Sequence, residues 1–89
     1  MPVVIVPEAY RGPTQGIAQL EVKADTIRGC LEAVDAEHPG FLDLILDASG
    51  RQHKFVKLFL NHEQLDADVL DTRIDAGDRL EVLAAIAGG

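Results

Sequence analysis

The sequence predicts an α+β domain in two layers, one main helix packed on a mixed sheet of four to five strands. Three observations predict it. Several short segments alternate apolar and polar residues with period two. A single long segment repeats its apolar residues at helical spacing. The segments follow one another in the order β-β-α-β-(β)-β, and one helix stripe and one sheet face bury each other.

The first strand is "VVIVP", Val3 to Pro7, a β-rich run ended by proline. Glu8 to Gly16, "EAYRGPTQG", reads as turn or loop because Gly12, Pro13 and Gly16 interrupt regular structure. "IAQLEVK" is the second strand of a hairpin, with Leu20 and Val22 on one face and Gln19, Glu21 and Lys23 on the other. In "DTIRGCLEAVDAEHPG" the period changes. Ile27, Cys30, Leu31 and Val34 form one helical stripe. Asp25 or Thr26 can accept from the first free N–H groups, and Pro39-Gly40 ends the helix after His38.

"FLDLILD" is apolar and short, a brief helical turn or an irregular packing segment, and "ASGRQHK" is a solvated loop. "FVKLFLN" is the third strand, with Val56, Leu58 and Leu60 facing one way and Phe55, Lys57 and Phe59 the other. Asn61-His62-Glu63 is a turn, and a very short strand follows near Gln64-Leu65. Gly77 in "DAGD" supplies a positive φ before the last strand. That strand runs from Arg79 to about Ile86, with Leu80 and Val82 inward and Glu81 and Leu83 outward. The expected core is Val4, Val6, Leu20, Val22, Ile27, Leu31, Val34, Val56, Leu58, Leu80 and Val82. First and last strands can lie side by side at the centre of the sheet, so residues after the last strand leave from a rigid element.

Composition narrows the function. The 89 residues are 47% hydrophobic and carry a formal charge of −7, which suits one globular domain over residues 1–89. With eight Lys and Arg against fifteen Asp and Glu, the chain lacks the basic face that nucleic acid requires. It suits a partner with positive potential near its binding site. No apolar run approaches the ~20 residues of a membrane span, and "MPVVIVPEAY" does not look like a secretory signal. One cysteine, Cys30, makes no internal disulfide, and its place on the helix stripe reads as core packing. Cytoplasmic localisation is expected.

The element order, the "FVKLFLN" strand, the "IDAGDRLEVL" turn and strand, and the terminal "AIAGG" resemble the ThiS/MoaD family of β-grasp, ubiquitin-like sulfur carriers. The resemblance runs from Val3 to Gly89. "HPGFLDLILDASGRQHKFVKLFLN" looks closest to the MoaD branch and the similar CysO carriers, which serve cysteine rather than molybdopterin synthesis. His62 stands where a glycine often closes the turn, and Ala84-Ala85 replaces a proline-bearing stretch.

The resemblance implies a carrier protein rather than an enzyme, with no catalytic residue and no bound metal or cofactor of its own. An E1-like adenylyltransferase partner spends ATP to adenylate the Gly89 carboxylate. A sulfur donor, a sulfurtransferase or cysteine desulfurase, then displaces AMP and leaves a thiocarboxylate. The acceptor is an enzyme such as a molybdopterin synthase large subunit or a cysteine synthase; no nucleic acid or membrane takes part. As terminal residue, Gly89 carries an α-carboxylate of pKa about 3.3–3.7, ionised and nucleophilic at neutral pH. Ile86, Ala87 and Gly88 are the tail that threads a partner's channel, where residues without Cβ pass most closely. Outward Phe59 and Leu83 are the expected docking surface.

Competing readings are weaker. His38, His53 and His62 share no metal-ligand spacing, and Asp66, Asp68, Asp71, Asp75 and Asp78 lack the frame of a calcium loop. A phosphopantetheine carrier needs a serine at a helix start, and Ser49, the one serine, sits in the loop "DASGR". A ubiquitin-like modifier joined through Gly89 to target lysines shares the activation chemistry and stays open as the alternative.

Overall fold

A computed structural model of the chain describes residues 1–66 and 69–84. Strands β1 (Val3–Ile5) and β2 (Gln19–Glu21) precede helix α1 (Ile27–Glu37) and the short helix α2 (Phe41–Ile45). Strands β3 (Val56–Leu60), β4 (Glu63–Gln64) and β5 (Arg79–Ala84) follow. They form one mixed sheet in the order β2-β1-β5-β3-β4. β1 and β5 are neighbours at the centre of the sheet, as the sequence predicts, and run parallel; the remaining pairs are antiparallel. This is the β-grasp architecture.

Helix α1 begins where a side chain can satisfy its free amides. Thr26 is the cap: its hydroxyl accepts from Gly29 N at 3.0 Å. Two further orphan donors are taken by a distant segment, Ile27 N by Thr72 O and Arg28 N by Leu70 O. After Glu37 the chain reverses at Gly40, whose φ of 101° is a left-handed conformation that disfavours any Cβ. The Asp35 carboxylate accepts from Gly40 N and Leu42 N, which closes the start of α2.

All eleven predicted core residues are buried, together with Cys30 on the same stripe. The core is larger than the sequence suggests. Phe41 and Ile45 are wholly buried, one turn apart on α2, so "FLDLI" is a helical turn that closes the end of the core. Leu70 and Ile74 are buried too, although the acidic segment around them looks solvated in sequence. Ile74 N donates to Asp25 O, and the segment lies across the start of α1. Its acids Asp66, Asp71 and Asp75 stay exposed while its apolar residues turn inward.

Two boundaries shift. The segment after β1 contains a 3-10 turn, Glu8–Tyr10, and β2 is shorter than "IAQLEVK": Ile17 N still donates back to Thr14 O, and Ala18 meets β1 only through its carbonyl, which accepts from Val6 N at 2.8 Å. The β3–β4 hairpin turns on two residues, Asn61 and His62, so Glu63 joins β4.

Candidate functional site on the outer face and the stem of strand five

Strand β5 occupies the middle of the sheet and carries the chain towards its C-terminal residues. Its inward residues, Leu80 and Val82, are 0% exposed. They pair in register with Val4 of β1 and with Leu60 and Leu58 of β3. This anchoring makes the stem rigid. Ile86, Ala87, Gly88 and Gly89, the tail and reacting residue expected from the sequence, lie outside the described residues.

The start of the stem is held by a polar clamp that the sequence does not advertise. Asn61 Oδ1 accepts from Arg79 N at 2.9 Å, and Asn61 N donates to Arg79 O at 2.9 Å. Asn61 Nδ2 donates to Asp78 Oδ1 at 3.0 Å, and Asp78 Oδ2 accepts from Asp75 N at 2.8 Å. The Asn61 bond first and the Asp75 amide second hold the Asp78 carboxyl below its usual pKa. Gly77, at φ 90°, makes the turn into this clamp. The clamp therefore fixes the register of β5 from its first residue.

The helices cover one face of the sheet; among the described residues no secondary-structure element covers the other, the open face. Across it runs a row of paired residues: Gln19, Ile5, Glu81, Phe59 and Gln64. Leu83 pairs with Lys57 and stands one step along β5 from the Phe59–Glu81 pair. Diagonal neighbours of this kind lie ~7–8 Å apart between strands, within reach of an aromatic ring. Phe59 is half-buried and Leu83 is 37% exposed. The structure thus puts both predicted docking residues on one surface. It adds Val3 and Ile5 of β1, half-buried on the same face. Their signal was present in "VVIV": if Val4 and Val6 point inward, Val3 and Ile5 must point outward. Phe55, just before β3, is 52% exposed, so the loop after the helices does not cover it.

Other candidate groups have structural surroundings. Burial first, then the nearby Asp25 carboxylate, pushes the Cys30 thiol up to about 11, so it stays protonated at neutral pH. Asp47 accepts from the Ser49 hydroxyl at 2.6 Å and from the amides of Ser49 and Arg51, which orders the loop "DASGR". Asp71 pairs with Arg28 at 3.2 Å on the surface. Among the described residues, no three His, Cys, Asp or Glu side chains are placed to share a metal ion. Among those residues no helix is long and apolar enough to cross a membrane.

The ThiS family matches residues 9–89, nearly the whole chain. The chain belongs to the ThiS family. It is similar, at 28% identity over 100% of both chains and a TM-score of 0.88, to a chain in the crystal structure of the Amycolatopsis orientalis BexX/CysO complex. It is similar to Mycobacterium tuberculosis CysO at 27% identity over 97% of this chain and 100% of that one, with a TM-score of 0.87. Haloferax volcanii SAMP1 shares the fold at 19% identity, over 99% of this chain and 98% of that one, with a TM-score of 0.77. No curated protein sequence matches this ThiS-family chain significantly.

Proposed function

We propose that this protein is a cytoplasmic sulfur carrier whose residues 1–89 act as one unit, and that it is a co-substrate of other enzymes rather than an enzyme. The observation that carries the reading is the family match, which runs through to Gly89, on a chain similar over its whole length to two CysO structures. The Gly89 carboxylate attacks the α-phosphorus of ATP in an E1-like partner, and pyrophosphate leaves. Hydrosulfide, or the terminal sulfur of a donor persulfide, then attacks the acyl carbon and AMP leaves, so that a C–S bond replaces C–O. Where the donor is a persulfide, a thiol then cleaves the S–S bond of the acyl disulfide, forming a new disulfide with the donor and freeing the thiocarboxylate. The resulting thiocarboxylate gives its sulfur to an acceptor enzyme. The likeness to CysO favours the branch that serves cysteine synthesis over the molybdopterin branch.

The open face suits this work. Val3, Ile5, Phe59 and Leu83 offer an apolar surface beside the stem that leads to the tail. Docking on that face sets the direction of the tail, and only a few further residues need ordering, at ~1–2 kcal/mol of backbone entropy each. Ile86, Ala87 and Gly88 then enter the partner's channel.

Mass spectrometry tests the reading. The protein is incubated with an E1-like partner, ATP and a sulfur donor, and its C-terminal peptide is analysed. A sulfur-for-oxygen exchange on Gly89 is expected. Gly-Gly remnants on the lysines of other proteins, without that exchange, would establish the modifier instead.

A further inference from the structure

A carboxylate interrupts the apolar centre of the open face. Glu81 lies on the outer side of β5, the middle strand of the sheet, with Ile5 of β1 and Phe59 of β3 opposite it. All three are half-buried. Val3 is its diagonal neighbour on β1, and Leu83 follows it on the same side of β5. The other acid that strand register puts on this face, Glu21, is exposed on the edge strand β2.

Glu81 has no cation of its own. Arg79, two residues back on β5, and Lys57, diagonal on β3, share its face, but both are exposed and neither pairs with it. Arg28–Asp71 is the one salt bridge among the described residues. Residues 67–68 and 85–89, outside the described set, contain no Lys, Arg or His. A partner that covers Ile5, Phe59 and Leu83 also takes water away from this carboxylate. Burying it without a counter-charge opposes docking. An arginine in the partner removes that penalty, because its planar guanidinium stays charged and pairs a carboxylate through two N–H groups. Arg79 and Lys57, on either side of Glu81, oppose a broad basic patch, so the fit is to one cation set in an apolar surface. The formal −7 of the chain favours the approach of such a partner over an acidic one.

We infer that Glu81 sets the specificity of the open face, selecting a partner protein that presents one arginine side chain within an apolar surface. The inference rests on that face being the docking surface and does not involve the chemistry of Gly89.

The test is an NMR titration of the isotope-labelled full chain with acetylated, amidated pentapeptides Thr-Leu-X-Leu-Thr, where X is arginine, citrulline, norleucine or glutamate. Citrulline keeps the shape of arginine and removes its charge. The arginine peptide should give saturable shifts at Val3, Ile5, Phe59, Glu81 and Leu83. The citrulline and norleucine peptides should bind about fivefold more weakly, and the glutamate peptide most weakly. The arginine preference should shrink as salt rises. Glu81→Gln should bring the arginine peptide to within about twofold of the citrulline peptide, whose own affinity stays unchanged. Glu81→Lys should make glutamate the preferred centre. Unshifted amides in α1 report that each variant is folded. Equal binding of the arginine and citrulline peptides on this face would overturn the inference and leave the docking surface standing. An arginine preference that survives in Glu81→Gln would overturn it too, since another acid would then read the charge. No saturable shift on this face with any peptide would overturn the docking reading as well. Concentration-dependent shifts of these residues in the free chain would overturn the inference in favour of a second copy as the occupant.

Discussion

Strand β5 shows two different surfaces on its two sides. Leu80 and Val82 face the helices and are sealed, while Glu81 and Leu83, one residue away, face outward with Phe59, Val3 and Ile5 as neighbours. Both faces contain apolar side chains. What separates them is what covers them: two helices and the 69–74 segment on one side, and no secondary-structure element on the other among the described residues. The inner face serves stability, whereas the outer face leaves apolar side chains exposed, the surface that the proposed function gives to a partner. Substitutions on the two faces should therefore fail in different assays.

The largest effect is expected inside. Leu31, wholly buried on α1, should cost about 2–5 kcal/mol when changed to Ala, read from urea denaturation, with docking unchanged wherever the variant is folded. A loss below about 0.5 kcal/mol would show that α1 does not seal the inner face. Outside, Leu83→Asp should leave stability within about 0.5 kcal/mol of the parent. It should weaken binding to the activating partner tenfold or more, about 1.4 kcal/mol, by titration calorimetry. Phe59→Ala should act in the same direction with a small stability loss, because that ring is half-buried. Unfolding by Leu83→Asp with affinity unchanged would erase the distinction between the faces.

A smaller effect is expected at the hairpin. Asn61 and His62 both have positive φ, 50° and 73°, and the left-handed region costs a residue with a Cβ ~1–2 kcal/mol. His62→Gly relieves that strain but gives more freedom to the unfolded chain, so a net gain of about 0.5–1 kcal/mol should appear in the denaturation midpoint. The smallest effect concerns pH. The folded-state pKa of Asp78 is depressed, so its contribution is full above the unfolded value of ~3.9 and fades as pH falls through the lower folded value. The stability difference between the parent and Asp78→Asn should be constant from neutral pH to about 4 and shrink below it.

Most of the inner face was legible because period two and period 3.6 are written directly in "FVKLFLN" and in the Ile27–Val34 stripe. Phe41, Ile45, Leu70 and Ile74 were not, because short apolar or mixed segments have no periodicity long enough to reveal a facing side. Their burial follows from tertiary contact, where Leu70 O and Thr72 O accept the first amides of α1. On the outer face Phe59 and Leu83 were legible by alternation, but their adjacency needed the β3–β5 register. The Asn61–Asp78–Arg79 clamp joins residues 17 and 18 positions apart, a separation at which sequence pattern carries no local signal. The His62 position was marked by the family resemblance alone, and its positive φ supplies the physical reason that glycine suits that turn.

The central claim is that Gly89 is the activated residue. ATP–pyrophosphate exchange with the activating enzyme, measured over a concentration series for the parent chain and for a chain lacking Gly89, tests it most directly. The account predicts that the shortened chain folds and competes for the enzyme through its open face, yet supports no exchange at saturation. Exchange at the parental rate would contradict the account, because adenylation would then not require the Gly89 carboxylate.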